Sequence, residues 1–316
     1  MKRSGSLPEP PDDMDAITAK LQDFSAAAAA DDDNEPLRID PRQFRSSFDR
    51  EPFLIGHTLC AHPLFAMDRL LALAGSLPEA CVEYNAGDIP VSLDPALTPR
   101  NGLTAAETLR RIADCKSWMA IKYVEKDPEY RALLQRCLAQ VARHSEPMLP
   151  GMCMPQAFIF ITSPGSVTPY HMDPEHNFLL QIRGSKKVRL FDGRDRTIVS
   201  EEELERFYDG AHRNLRLRPE FESRGRDYEL QPGFGLHFPV TAPHFVTNGA
   251  EVSVSFSITF RTPDKETRAL AHRCNGALRS YGIKPAPIGH HPFVDSMKSF
   301  AYRAGRKLRR LAGREA

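Results

Sequence analysis

The chain has 316 residues, 41% of them hydrophobic, and its 42 basic and 41 acidic side chains leave a formal net charge of +1. That length and composition allow a sizeable core, and the charge balance excludes a global field drawing the protein to nucleic acid or membrane. No stretch approaches the roughly 20 continuous apolar residues of a membrane span, and the basic start Met1-Lys2-Arg3 runs into Pro8 and Asp12 rather than an apolar segment, so no secretory leader is expected.

Residues 1–48 combine prolines, an alanine run over 26–30 and Asp31-Asp32-Asp33. This composition predicts a disordered N-terminal tail with a short helix near 14–24. Residues 49–150 read as a helical part packed on the β-rich remainder of the chain. Apolar residues at helical spacing over 63–73 end before Gly75, Thr104 with Glu107 forms a capping box for a second helix, and a third runs over 128–141. A buried strand is expected at 118–124, between the last two.

From Gln156 the chain turns mainly β. Strands are expected at 157–162, 177–183 and 187–191, then at 228–230, 235–238, 243–247 and 252–261, with a helix opened by the Ser200 and Glu203 capping box between the two groups. The last strand alternates, with Val252, Val254, Phe256 and Ile258 on one face and Ser253, Ser255, Ser257 and Thr259 on the other. An oily face backed by a hydroxyl face suits a barrel holding a polar ligand. The fold class expected is mainly β with flanking helices, a jelly roll over 151–262. Residues 263–316 supply two more helices, the second with Phe293, Met297, Phe300, Ala304, Leu308 and Leu311 on one face and Arg303, Arg306, Lys307, Arg309, Arg310 and Arg314 as a basic tail. Cys60, Cys81, Cys115, Cys137, Cys153 and Cys274 include no CxxC pair, which points to reduced thiols and a cytoplasmic location.

The chemistry concentrates in Thr168-Pro169-Tyr170-His171-Met172-Asp173, with Lys186 thirteen residues after the aspartate and His244 far downstream. Two residues apart on extended backbone, His171 and Asp173 leave the same face, and His244 follows a proline-broken apolar stretch that can return a second imidazole to them. Two histidines and one carboxylate leave coordination positions open, the arrangement of mononuclear non-haem Fe(II) oxygenases. An HxD triplet alone also fits a loop histidine beside a turn, and zinc competes for such a site. Zinc hydrolases more often carry further His or Cys nearby, and His176 is the one candidate for that role. Lys186 and Thr168 offer a cation and a hydroxyl to the far carboxylate of a keto-dicarboxylate whose other end chelates the metal. Asn177 and Ser255 are candidate donors to the near carboxylate, and Tyr170 and His237 are candidate substrate contacts.

The run from Thr168 to Lys186 resembles the signature of cupin-like JmjC-domain oxygenases, and is especially similar to that of the hypoxia-inducible-factor asparaginyl hydroxylase. The resemblance covers about residues 150–262. It implies a double-stranded β-helix binding Fe(II) through His171, Asp173 and His244 and 2-oxoglutarate through Thr168, Asn177 and Lys186, with hydroxylation of a side chain of a protein or peptide substrate. It also implies C-terminal helices that form a homodimer. The sequence departs from the family at Ser255 or a neighbour, where an asparagine is expected, and at His237, where an aromatic is common. The alternative is a non-catalytic cupin-like regulatory protein that contacts nucleic acid through the basic C-terminal helix. Demethylation of methyl-lysine uses the same chemistry and ranks below hydroxylation.

Overall fold

The computed structural model describes residues 35–311 and residue 313; the expected helix over 14–24, with the rest of residues 1–34, lies outside the described residues. In chain order β1 (Leu37–Arg38), α1 (Pro41–Ser47) and β2 (Phe53–His57) lead to α2 (Met67–Ser76), β3 (Val82–Ala86), α3 (Ala105–Arg110), β4 (Ser117–Lys122) and α4 (Pro128–Ser145). The strands β5 (Cys153–Thr162), β6 (Val167–His171), β7 (His176–Arg183) and β8 (Lys186–Leu190) come next. After α5 (Glu201–Tyr208) come β9 (Arg226–Leu230), β10 (Phe234–Phe238), β11 (His244–Asn248) and β12 (Ser253–Arg261), and α6 (Pro263–Ser280) and α7 (Pro292–Leu311) close the fold.

The strands form a large sheet in the order β1-β2-β10-β7-β12-β5-β4-β3 and a small one in the order β6-β11-β8-β9. All pairs are antiparallel. Strands β5 to β12 are dealt between the two sheets, four to each until β1 to β4 extend the larger, and this is the double-stranded β-helix expected from the sequence. Strand alternation divides the apolar residues. Leu179, Val188, Leu190, Leu230, Leu236, Phe238 and Val246 fill the space between the sheets. Phe178, Leu180 and Ile182 of β7 join Phe256, Ile258 and Phe260 of β12 on the outer face of the large sheet, beneath Leu70, Tyr130 and Leu134 of the N-terminal helices.

Both capping boxes are present, Thr104 with Glu107 at α3 and Ser200 with Glu203 at α5. Residues 35–48 depart from the expected tail. Asp40 caps α1 by accepting from the N–H of Arg42 at 2.8 Å, Pro41 occupies its first turn, and Leu37 exchanges hydrogen bonds with the Gln140 amide at 2.9 and 3.1 Å. Phe44 and Phe48 are fully buried, Phe44 against Phe53 and Phe178 of the large sheet. The composition of residues 1–48 taken together hides these few anchors, which need a sheet to pack on. No helix among the described residues is long and apolar enough to cross a membrane.

Candidate metal centre

β6 is an edge strand of the small sheet. It pairs with β11 so that His244 lies opposite His171 and Val246 opposite Thr168, two residues of β11 spanning three of β6. The extra residue makes a β-bulge, and Pro169 suits it because proline has no N–H to give the ladder. The bulge sets Thr168 and His171, three apart in sequence, on one face. Asp173 lies past the end of β6, and a tight turn holds it there. Thr241, in the left-handed region at φ 60°, donates its backbone N–H to the Asp173 carbonyl at 2.9 Å.

His171 Nδ1 bonds the carbonyl of Pro169 at 2.7 Å, and His244 Nδ1 bonds that of Ala242 at 3.0 Å. A carbonyl only accepts, so each Nδ1 carries the proton and each Nε2 presents a lone pair. Those lone pairs face one oxygen: Asp173 Oδ2 lies 3.7 Å from His171 Nε2 and 3.8 Å from His244 Nε2. Three acceptors with no donor among them, all within 4.8 Å of one another, fit a divalent cation held by two imidazoles and a carboxylate. Burial and the neighbouring His244 pull the His171 imidazole down to about 3, and burial lowers His244 too. Burial would lift the Asp173 carboxyl, but His171, Arg213 and His244 outweigh it and hold it down to about 2. All three groups are therefore in their ligating forms at neutral pH.

Lys186 opens β8 after a turn at Gly184, whose φ of +65° suits glycine and whose added Cβ would meet the carbonyl of Val252 at 2.5 Å. It pairs with Asn248, as Leu190 pairs with His244, so cation and metal ligand stand on one face about 13 Å apart along the ladder. The side chain is buried, burial lowers it to about 7, and no carboxylate lies within ion-pair distance of it among the described residues. A buried cation without a counter-charge is a place for an anion.

Asn177 is buried on the inner face of β7, where its Oδ1 accepts from Ser257 Oγ at 2.8 Å. Ser255 is not beside it. β12 runs antiparallel to β7 and sets Thr259 opposite Asn177 and Ser255 opposite Gln181, and Ser255 Oγ donates to Gln181 Oε1 at 2.7 Å. The Gln181 amide in turn donates to the carbonyls of Arg183 and Gly184 and to Ser253 Oγ. Ser255 thus belongs to a satisfied structural network.

Tyr170 and His237 do not face the site. Tyr170, beside the bulge, points into an apolar cluster with Phe191, Phe207 and Tyr208 and is 2% exposed. His237 lies on the outer face of the large sheet, where its Nδ1 donates to the Asn177 carbonyl at 3.0 Å and its ring stacks on Phe178 and Phe48. Strand parity puts both on the wrong side. His176 shares that outer face, stacked on Phe48 and Phe260, and makes no fourth ligand.

Several neighbours of the site are not marked by the sequence pattern. Phe238 lays its ring 4.6 Å from that of His244. Asn248 faces the same way as His244 by simple alternation, and its buried Oδ1 has no partner among the described residues. Glu175 pairs with Arg261 at 2.9 Å, and Arg261 pairs with Glu266 at 3.1 Å, tying the loop after Asp173 to α6. Arg213, forty residues beyond Asp173, donates from Nη1 to its Oδ1 at 3.0 Å. Alternation could have found Asn248, but no local signal marks Arg213.

The family model for the JmjC domain matches residues 133–267. Among solved structures, the chain is similar to E. coli ycfD, with 17% identity, a TM-score of 0.46 and coverage of 86% of this chain and 68% of that one. It is likewise similar to the ribosomal oxygenase YcfD from Escherichia coli in complex with cobalt and 2-oxoglutarate, at 16% identity, TM-score 0.47 and coverage of 86% and 68%. The DMSP lyase DddQ from Ruegeria pomeroyi DSS-3 matches at 12% identity and TM-score 0.23 over 34% of this chain and 38% of that one.

Proposed function

Residues 133–267 of this chain are a JmjC domain, and from that premise we propose that the protein is an Fe(II)- and 2-oxoglutarate-dependent oxygenase hydroxylating a side chain of a protein or peptide. The observation that supports it most is the convergence of three lone-pair donors, His171 Nε2, His244 Nε2 and Asp173 Oδ2, on one point inside the barrel. The chemistry that ferrous iron supplies when bound there, with 2-oxoglutarate as cosubstrate, is hydroxylation of a C–H bond by dioxygen.

The residues of the chain divide the work. His171, His244 and Asp173 would hold the ion through Nε2, Nε2 and Oδ2. Lys186 takes the distal carboxylate of the cosubstrate with the hydroxyl of Thr168, and Asn177 serves the near carboxylate. Ser257, whose Oγ donates to Asn177 Oδ1, orients that amide, a place Ser255 does not occupy. Phe238 keeps water from one side of the His244 ring. Substrate enters on the Arg213 side, where that side chain is 43% exposed and that of Asp173 14%.

The catalytic unit is the barrel of residues 151–262, with residues 35–150 packed on its large sheet and 263–316 forming a C-terminal segment. That segment dimerises. α7 turns Asp295 and Ser299 inward and leaves Phe293, Met297 and Phe300 more than half exposed, an apolar face that a second copy covers. Six free cysteines suit a reducing, cytoplasmic compartment.

The test is anaerobic titration of the metal-free protein with Fe(II) and 2-oxoglutarate, read by the weak visible charge-transfer band of the chelate. A band lost in Lys186→Ala and in His244→Ala is the expected result. A folded protein that gives no band overturns the proposal.

A further inference from the structure

Arg213 occupies the segment between α5 and β9, which turns back onto the metal-ligand strand. Leu215 donates its backbone N–H to the Tyr170 carbonyl at 2.8 Å, and Met172 donates its own to the Arg213 carbonyl at 3.2 Å. Between these bonds Asn214 bridges to His171 in antiparallel register. Residues 213–215 therefore act as a further rung beside β6, fixed against the backbone on either side of His171. The rung is held from outside as well, by Asn214 Nδ2 on the Leu93 carbonyl and by Ser92 Oγ on the N–H of Leu217.

The Arg213 side chain starts from this anchored position and reaches one oxygen of one carboxylate. Its Nη1 lies 3.0 Å from Asp173 Oδ1, while Oδ2 of the same group faces the two imidazoles. A carboxylate can rotate about its terminal bond and offer either oxygen or both to a cation. A charge-assisted hydrogen bond on Oδ1 restrains that rotation and leaves Oδ2 as the ligating atom. An exposed ion pair of ordinary kind stabilises little, but here the carboxylate is largely buried.

Resting on the metal reading above, we propose that Arg213 is a positioning residue that sets the Asp173 carboxylate for one-oxygen ligation, so that metal affinity depends on the docking of residues 213–215 onto β6.

The experiment is a titration of the full-length, metal-free protein with Co(II), read by its visible absorption, for the native chain and for Arg213→Ala, Arg213→Lys and Arg216→Ala. The expected result is a loss of about 10- to 100-fold in Co(II) affinity for Arg213→Ala with altered visible bands. Recovery of most of that loss in Arg213→Lys, and an unchanged affinity in Arg216→Ala, complete the expectation. An Arg213→Ala protein, folded by circular dichroism, that binds Co(II) within twofold of the native chain and with the same bands overturns the inference while leaving the metal site intact. If Arg213→Ala does not fold, Arg213→Gln is titrated instead under the same criteria. Failure of the native chain to bind Co(II) removes the metal reading and this inference together.

Discussion

His171 and His244 face each other across the β6–β11 ladder with ring centroids 4.2 Å apart. Two imidazoles held this close, each with Nδ1 committed to a carbonyl, give neighbouring lone pairs that repel unless a cation lies between them. Metal should therefore stabilise the fold. Thermal melting with and without Co(II) should show a rise in midpoint for the native chain. His171→Ala and His244→Ala should lose that rise while melting cooperatively in its absence. An equal rise in either variant would place the ion elsewhere.

The role proposed for Lys186 gives cosubstrate binding a pH dependence. Burial lowers its ammonium to about 7, so above that pH the free protein increasingly holds a neutral amine, and a dicarboxylate must bring the proton back as it binds. Affinity should be nearly flat below pH 7 and fall as pH rises, about tenfold between pH 6 and pH 8. Calorimetric titration of the Co(II)-loaded protein with 2-oxoglutarate measures this. Lys186→Met should bind weakly at both values, and a pH-independent affinity in the native chain would show that Lys186 does not contact the ligand.

The sequence displays the parts of this site that depend on local pattern. The capping boxes at Thr104 and Ser200 and the alternation along β12 are short-range features, and each appears in the fold, β12 with Val254, Phe256 and Ile258 in the outer core and Ser255 and Ser257 bonded on the other face. Facing and register are long-range properties and are less legible. Nothing in the letters says that a bulge at Pro169 turns Thr168 toward the His171 face, or that β12 slides so that Thr259, not Ser255, meets Asn177. One residue of slip exchanges inside and outside, which is why proximity to the ligands in sequence makes Tyr170 and His237 look like substrate contacts when they are not. Phe44 and Phe48 look like part of a tail because their partners lie on strands of the large sheet, Phe53 and Phe178 for Phe44, and His176, His237 and Phe260 for Phe48.

The register makes Ser255 and Asn177 separable by mutation. Ser255 Oγ is fully buried and donates to Gln181, so Ser255→Ala should cost about 1 to 3 kcal/mol of stability by leaving Gln181 Oε1 unsatisfied, with no change in 2-oxoglutarate affinity. Asn177→Ala should weaken the cosubstrate severalfold. Urea denaturation and calorimetry on the same two proteins decide it. A Ser255→Ala variant that keeps its stability but loses cosubstrate would reverse the assignment.

His237 supplies an acid-sensitive contribution to stability. Burial pulls its imidazole down to about 3, against about 6.5 in the unfolded chain, so the native state binds fewer protons. The contribution is complete above about pH 6.5 and is lost as pH falls, roughly 2 kcal/mol between pH 6.5 and pH 5 for this one residue. His237→Phe keeps the stack on Phe178 and Phe48 but removes the titrating group and one hydrogen bond, to the Asn177 carbonyl. It should be less stable than the native chain by about 1 kcal/mol at pH 7.5 and yet lose less on acidification. Urea denaturation of the metal-free proteins at pH 7.5 and 5.0 measures both, and parallel losses would exonerate His237.

The outward face of α7 predicts an association that mutation can break. Phe293 and Phe300 are 77% and 74% exposed on a helix whose inward side is Asp295 and Ser299, the reverse of a helix packed on its own domain. A second copy laying the same face against this one would bury both rings in an isologous contact, and aromatic anchors of this kind dominate interface energy. Sedimentation equilibrium should give twice the chain mass of 35.5 kDa for the native protein. Phe293→Glu with Phe300→Glu should shift it to the single-chain mass, with the Co(II) titration unchanged because α7 supplies no residue to the metal centre. A native chain that sediments as a monomer at high concentration would refute the dimer, and a dimer that survives both charges would move the interface to another face.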